Sequence, residues 1–165
     1  MTTEQIAQVS PGDSSGVRIL PPLFYVAGLA AGFLVQRAWP VPIVSPTAVL
    51  PVLVAGQILV TVCSALSLWA LFTFWRSGTT PNPMRPTTAL ALGGPYRFTR
   101  NPMYVSLAAI QAGMALISNA LWPLLSLLPV LVAVQWLVID REERYLERKF
   151  GESYLSYKQR VRRWL

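Results

Sequence analysis

The sequence predicts an all-α protein, a polytopic membrane helix bundle with about four transmembrane helices and a C-terminal amphipathic helix. Hydrophobic residues make up 53% of the chain and charged residues only 13%, against an average of about 25% in soluble proteins. Residues 38–75 and 101–139 form two stretches without a single charge. One crossing takes about 20 residues. Each stretch therefore accommodates two crossings, the first with help from the residues before it.

Four spans are predicted in order, at about residues 19–36, 48–75, 102–118 and 121–139. The second is long enough that it must tilt or extend into the interface. Asn119 and Pro123 favour a chain reversal between the last two spans, because Asn suits a turn and Pro suits a first helical turn. Residues 1–18 are polar and predict a disordered cytoplasmic tail, which leaves one membrane domain over residues 19–165.

The distribution of basic residues predicts the orientation. Of the 14 Lys and Arg residues, four lie in residues 76–100 and eight follow Ile139. Four spans place both groups on one side of the membrane, whereas three or five spans would separate them. By the positive-inside rule that side is the cytoplasm. We therefore expect an integral protein of the cell (inner) membrane whose functional site faces the cytoplasm.

The chain contains no histidine, which excludes imidazole bases, most zinc sites and Ser-His or Cys-His nucleophile pairs. We expect no metal site. Glycine-rich phosphate-binding runs of the kind that follow a strand are absent from the sequence, so a soluble nucleotide-binding fold is not supported. No nucleic-acid partner is expected either.

A polar run precedes the third span. Asn101 and Pro102 suit a helix N-cap and first turn, so the amides and the positive dipole end of this helix would face the loop and favour an anion. Arg100 adds a cationic group, and Tyr96 and Tyr104 add aromatic ones. Taken singly, such residues are also typical interfacial anchors. Together they predict a binding site at the cytoplasmic face.

A second polar run, which contains Glu142 and Glu143, follows the fourth span. Adjacent helical residues point about 100° apart, so one carboxylate is free to meet a cationic ligand. Glu142 shares a helical stripe with Val138 and Leu146, an apolar face that we expect to point into the bundle. Arg100 and Glu142 are therefore the candidate catalytic residues, and Glu143 is a further candidate contact.

The C-terminal residues 151–163 predict an amphipathic helix. Tyr154, Tyr157 and Val161 fall on one stripe, and basic residues lie off it. Such a helix is typical of the surface of an anionic leaflet, where Trp164 would act as an interfacial anchor.

Three segments carry a resemblance to a known group of enzymes. The runs Gly94–Tyr104, Glu142-Glu143 and Phe150–Val161 are similar to the C-terminal half of the isoprenylcysteine carboxyl methyltransferase and phospholipid methyltransferase group of integral membrane enzymes. The resemblance covers about residues 79–164. The residues before it share only their hydrophobicity with that group.

The resemblance implies S-adenosylmethionine as the methyl donor and a lipophilic small molecule or lipid, entering from the bilayer, as the acceptor. Carried over by motif position, the implied cofactor contacts are Thr88, Ala89, Leu90, Ala91, Tyr96, Asn101, Pro102, Met103, Tyr104 and Glu142, which Glu143 joins as the neighbouring carboxylate. Membrane lipids are the other expected partners.

The acceptor stays open between two chemistries. The chain has Asn101 where the group often has histidine, and Val138 where the carboxyl methyltransferases have an arginine associated with their substrate. An anionic acceptor needs no base, whereas a lipid amine must lose a proton, and only Glu, Tyr or water could accept it. The lack of histidine favours an anionic acceptor on a lipophilic molecule, as in the isoprenylcysteine enzymes that the chain resembles, whereas Val138 argues against a prenylcysteine carboxylate itself. A phospholipid or lipid-amine N-methyltransferase is one alternative and a non-catalytic membrane scaffold is another.

Overall fold

A computed structural model describes residues 15–17, 19–79 and 86–164, and within them it confirms an all-α membrane helix bundle. The helices are α1 (Pro22–Ala38), α2 (Val49–Arg76), α3 (Pro102–Ile117), α4 (Leu121–Leu125), α5 (Leu127–Val134), α6 (Asp140–Phe150) and α7 (Glu152–Arg160). Short 3₁₀ turns lie at Pro46–Ala48 and Gly94–Arg97, and a π-helical turn over Gln135–Ile139 joins α5 to α6.

Two continuous helical stretches, Pro46–Arg76 and Leu121–Phe150, each contain an apolar segment long enough to cross a bilayer. At 1.5 Å per residue each extends about 45 Å, beyond the roughly 30 Å hydrocarbon core. The two shorter apolar helices, α1 and α3, have 17 and 16 residues. Large apolar side chains point outward, and Leu34 and Trp136 are 70% and 67% exposed. Such a surface is suited to contact with lipid.

Helices α1, α2 and α3 begin and end within three residues of the first three predicted spans. The fourth span consists of α4, α5 and the π-helical turn, has a one-residue break in its α-helical pattern, and continues as helix into α6. Helix α4 ends at Leu125 and α5 begins at Leu127. Pro129 explains the break, because proline lacks the N–H that would bond to the carbonyl of Leu125 and its ring crowds that carbonyl. The predicted reversal is present at Asn119, which has a φ of 46°. Its side chain bonds to the main chain of Ile43 and Val44 in the α1–α2 loop.

Helices α2 and α3 pack closely through small residues. A Cβ on Gly56 would lie 2.8 Å from the carbonyl oxygen of Gly113 and 2.9 Å from the amide nitrogen of Ile117. Both contacts are with backbone atoms, which a side-chain rotation cannot relieve. Small residues are the usual means by which membrane helices approach one another, so Gly56 sets the distance between α2 and α3.

The C-terminal helix is present, but it ends earlier than predicted and its tyrosines lie inside the protein. Helix α7 ends at Arg160 rather than at residue 163, and the C-terminal segment, residues 161–164, runs beside the loop before α3. Tyr154 and Tyr157 are buried inside the protein instead of lying on the leaflet. The main chain of the segment leaves the helix because the loop supplies hydrogen-bond partners, including the amide of Arg100, which donates to the carbonyl of Arg162 at 2.9 Å.

Trp164 is also placed differently from the prediction. Its indole Nε1 donates to Oε1 of Gln135 at 3.0 Å, and its ring packs against the core cluster around Val134 and Val138. Most of the predicted tail, residues 1–18, lies outside the described residues. Its described part, residues 15–17, is packed against the bundle, with Ser15 and Val17 buried. Val17 belongs to the same apolar cluster as Trp164, which explains why these residues fold onto the protein.

We predict that Gly56→Leu destabilises the protein. The added side chain must separate α2 from α3, and overpacking of this kind costs about 1–3 kcal/mol. The matched control is Ala55→Leu, one residue earlier on the exposed side of α2. Unfolding in detergent, followed by circular dichroism, should show a loss for Gly56→Leu and little change for the control. Equal stabilities of the two variants would contradict the close packing.

Candidate functional site

A cavity of about 330 Å³ lies at the end of the bundle where both polar runs meet. The loop before α3, the start of α3, and helices α6 and α7 form its polar walls, and the start of α1 adds an apolar wall through Leu20, Pro21 and Pro22. The hairpin formed by α3 and the helices after it returns the two runs to the same end. The cavity falls within the size range of small-molecule sites.

Most of the predicted site residues line this cavity: Ala89, Leu90, Ala91, Tyr96, Arg100, Asn101, Met103, Tyr104, Glu142 and Glu143. Thr88 and Pro102 are not among the lining residues. The hydroxyl of Thr88 donates to the carbonyl of Gly78 at 2.8 Å, and its amide donates to the hydroxyl of Thr79 at 3.2 Å. Thr88 therefore holds the loop, while Pro102 is buried at the first position of α3.

Sequence reasoning missed several aromatic members of the site. Five of the six tyrosines line the cavity, together with Phe74; Tyr145, Tyr154 and Tyr157 are the three that were not predicted. The grouping of tyrosines in the polar segments was the available signal, because four of the six lie in residues 76–100 or after Ile139. The hydroxyl of Tyr157 donates to the carbonyl of Tyr96 at 2.7 Å, which attaches α7 to the loop before α3.

Burial keeps the phenols of Tyr96, Tyr154 and Tyr157 neutral at ordinary pH. It raises the pKa of Tyr96 and of Tyr154 well above the usual range, and raises the pKa of Tyr157 to about 12. Each phenol therefore keeps its proton, which Tyr157 donates to the carbonyl of Tyr96, and the aromatic faces suit a bound cation.

Arg100 carries hydrogen-bond donors that are not used within the described protein. Its side chain is 9% exposed, yet neither Nε nor Nη1 has a hydrogen-bond partner among the described residues. Nη1 lies 3.4 Å from Oε1 of Glu143, an ionic contact. The phenol oxygen of Tyr96 is likewise buried without such a partner in the described part of the chain. Buried polar groups are normally hydrogen-bonded, so these atoms suit a polar ligand with acceptor groups.

Glu142 supplies a carboxylate to the cavity, three residues beyond Ile139, where the apolar part of the fourth span ends. The hydroxyl of Tyr104 donates to its two oxygens at 2.9 and 3.0 Å. Burial raises the pKa of Glu142 to about 7; the hydrogen bond from Tyr104 lowers the pKa and the neighbouring charge of Glu143 raises it. Near neutral pH this carboxyl group can therefore exist in either protonation state.

Glu143 is the centre of an ion-pair cluster and is only 5% exposed. Nε of Arg163 donates to its Oε1 at 3.1 Å, and Nη2 of Arg163 donates to its Oε2 at 2.6 Å. The same guanidinium contacts Oδ1 of Asp140 at 3.1 Å. The hydrogen bond to Glu143 raises the pKa of Arg163. Glu143 thus links the C-terminal segment to the site.

Asn101 occupies the predicted cap position of α3, but its side chain does not cap the helix. Its Nδ2 instead donates to the carbonyl of Arg163 at 2.9 Å, and the hydroxyl of Thr99 donates to the same carbonyl at 3.2 Å. The C-terminal segment competes for the side chain because its carbonyl groups lie directly beside the loop. No group of His, Cys, Asp and Glu side chains suited to a metal ion occurs among the described residues.

Comparison with known proteins agrees with this architecture. The family model described as phospholipid methyltransferase matches residues 51–153. An uncharacterized protein of Haemophilus influenzae (strain ATCC 51907 / DSM 11121 / KW20 / Rd) is 45% identical over 65 residues, which cover 38% of this chain and 100% of that relative. Residues 51–153, which the family model matches, include the loop before α3, all of α3 and most of the cavity wall. The chain belongs to the phospholipid methyltransferase family, a family of membrane methyltransferases.

Proposed function

We propose that the protein is an S-adenosylmethionine-dependent methyltransferase that modifies a lipophilic acceptor at the cytoplasmic face of the cell (inner) membrane. One observation carries the proposal: a single cavity joins the unused donors of Arg100, the carboxylate of Glu142 and five tyrosines at the end of an apolar bundle. Lipid packing alone does not require such a set of groups.

The chemistry of the cavity fits this donor. Its carboxylate needs hydrogen-bond donors, which Arg100 offers at Nε and Nη1. Its ammonium group needs a carboxylate, which Glu142 offers. Its sulfonium and adenine suit the aromatic faces of Tyr96 and Tyr154. Loop residues Ala89 and Ala91 line the same cavity, where small side chains leave room for the adenosine.

In the mechanism, the protein mainly orients the reactants and excludes water. The bound donor would supply an electrophilic methyl group on sulfur. Arg100 and Glu142 would hold the two charged ends of its amino-acid part and so would orient the donor for an in-line transfer. Tyr154 and Tyr157 on α7 are buried against the cavity and shield it from the aqueous side.

The acceptor enters from the lipid. Part of the cavity wall is apolar and includes Leu20 and Pro21 before α1, Leu107 on α3 and Leu146 on α6. Such a wall suits an acyl or prenyl chain. An isoprenylcysteine-like anionic acceptor would need no base, whereas the second candidate, a phospholipid or other lipid amine, must lose a proton to Glu, Tyr or water.

The competing hypothesis is a membrane scaffold without a methyl donor. Calorimetric titration of the purified protein in detergent with S-adenosylmethionine and S-adenosylhomocysteine separates the two. We expect micromolar binding of both. Absence of heat in several detergents would favour the scaffold.

The orientation gives a prediction of its own. Reporter fusions after Arg85 and after Leu165 should both report the cytoplasm, because 12 of the 14 basic residues lie in these two regions. Fusions that report opposite sides of the membrane would overturn both the four-span arrangement and the cytoplasmic site.

Substitutions of the two neighbouring carboxylates should have different effects on donor affinity and stability. Glu142→Gln removes a charge-assisted contact with the donor, worth about 1.5–3 kcal/mol, which is roughly a 10- to 150-fold loss of donor affinity. Glu143→Gln should reduce donor affinity by less than about tenfold. It should instead lower stability, because breaking a buried ion pair costs about 3–5 kcal/mol. Titration and thermal unfolding of both variants test this. A larger affinity loss for Glu143→Gln would show that the roles are exchanged.

Donor affinity should also depend on pH. Only the ionised carboxylate attracts an ammonium group, so binding of S-adenosylhomocysteine should strengthen as the pH rises from 6 to 8 through the pKa of Glu142, which is about 7. Glu142→Gln is the matched control, and its affinity should stay level across this range. The same slope in both proteins would exclude Glu142 as the titrating group.

A further inference from the structure

The carboxylate of Glu143 lies beside two guanidinium groups but forms hydrogen bonds with only one of them. Arg163 donates two hydrogen bonds to it, one to each oxygen. Arg100 only approaches it, with Nη1 3.4 Å from Oε1 and without a hydrogen bond. Each oxygen of Glu143 thus accepts a hydrogen bond from Arg163, whereas Nε and Nη1 of Arg100 are buried without a hydrogen-bond partner among the described residues.

The main chain of the same segment also holds Arg100. The amide of Arg100 donates to the carbonyl of Arg162 at 2.9 Å, and the carbonyl of Arg163 accepts from Thr99 and Asn101 on either side. Trp164 attaches the end of the segment to Gln135 in the π-helical turn. Residues 161–164 therefore contact Arg100 through its backbone and, by way of Glu143, through its side chain.

We propose that Arg163 is a positioning residue that keeps Arg100 available to the carboxylate of the bound donor. Arg163 occupies Glu143, and Glu143 therefore does not withdraw the donors of Arg100 from the cavity. Without Arg163, the buried Glu143 carboxylate would have Arg100 and the more distant Lys158, at 3.9 Å, as the remaining cations beside it among the described residues. It would then form hydrogen bonds with Arg100 by a small side-chain movement. This inference rests on the proposed function. It adds Arg163, which is not among the cofactor contacts that the family resemblance implies.

The test uses two probes that differ in the group that Arg100 would bind. S-adenosylhomocysteine contains the carboxylate and the ammonium group, whereas 5′-methylthioadenosine keeps the nucleoside and the sulfur but lacks both. Their dissociation constants are measured in detergent for the full-length wild type and Arg163→Gln. We expect Arg163→Gln to weaken S-adenosylhomocysteine binding about tenfold and to change 5′-methylthioadenosine binding less than about twofold. A merely structural role would weaken both probes alike, which would overturn the proposal.

Three further variants complete the experiment. Arg160→Gln removes a neighbouring exposed arginine whose Nε bonds to the carbonyl of Ser156 on its own helix, and it should bind both probes like the wild type. Arg163→Lys keeps the charge without the paired hydrogen bonds and should give an intermediate loss, a comparison that remains informative if Arg163→Gln folds poorly.

The double variant Glu143→Gln/Arg163→Gln removes the competing carboxylate as well. It should restore S-adenosylhomocysteine binding to within about threefold of the wild type. A double variant that binds no better than Arg163→Gln would overturn the competition. If the wild type binds neither probe, the proposed function fails and this inference fails with it. If the wild type binds both probes and Arg163→Gln weakens both equally, only this inference fails.

Discussion

The cost of placing a charge in hydrocarbon is the constraint on which the rest of this structure depends. It leaves residues 38–75 and 101–139 without charge and confines the chemically active side chains to the polar segments between and after them. The hairpin of α3 with the helices after it then brings Arg100 and Glu142 to the same end of the bundle. The site is therefore a consequence of membrane insertion as much as of local sequence.

Within that end of the bundle, two carboxylates from adjacent positions have separate roles. Glu142 faces the cavity and is held by Tyr104, and burial leaves it able to change protonation near neutral pH. Glu143 is enclosed by Arg163 and Arg100. A rotation of about 100° between consecutive helical residues is enough to pair one carboxylate with a phenol and its neighbour with two guanidinium groups.

Much of this could be predicted from the pattern of residues. The helix ends follow from runs of apolar residues, and the position of α3 follows from Asn101 and Pro102. The location of Arg100, Tyr104 and Glu142 at one cavity follows from the hairpin. The position of the C-terminal residues could not be predicted, because a stripe containing Tyr154 and Tyr157 has the same period whether it covers a membrane or packs against another part of the protein.

The sequence by itself determined the membrane environment, the number of apolar segments and the grouping of cationic, acidic and aromatic side chains, because hydrophobicity and charge act on each segment independently of its neighbours. Only the tertiary structure decided that Arg163 returns to Glu143, that Asn101 bonds to the C-terminal segment instead of capping α3, and that Thr88 holds the loop outside the cavity wall. Each of these contacts depends on distances between segments far apart in the chain, and no local pattern specifies such distances.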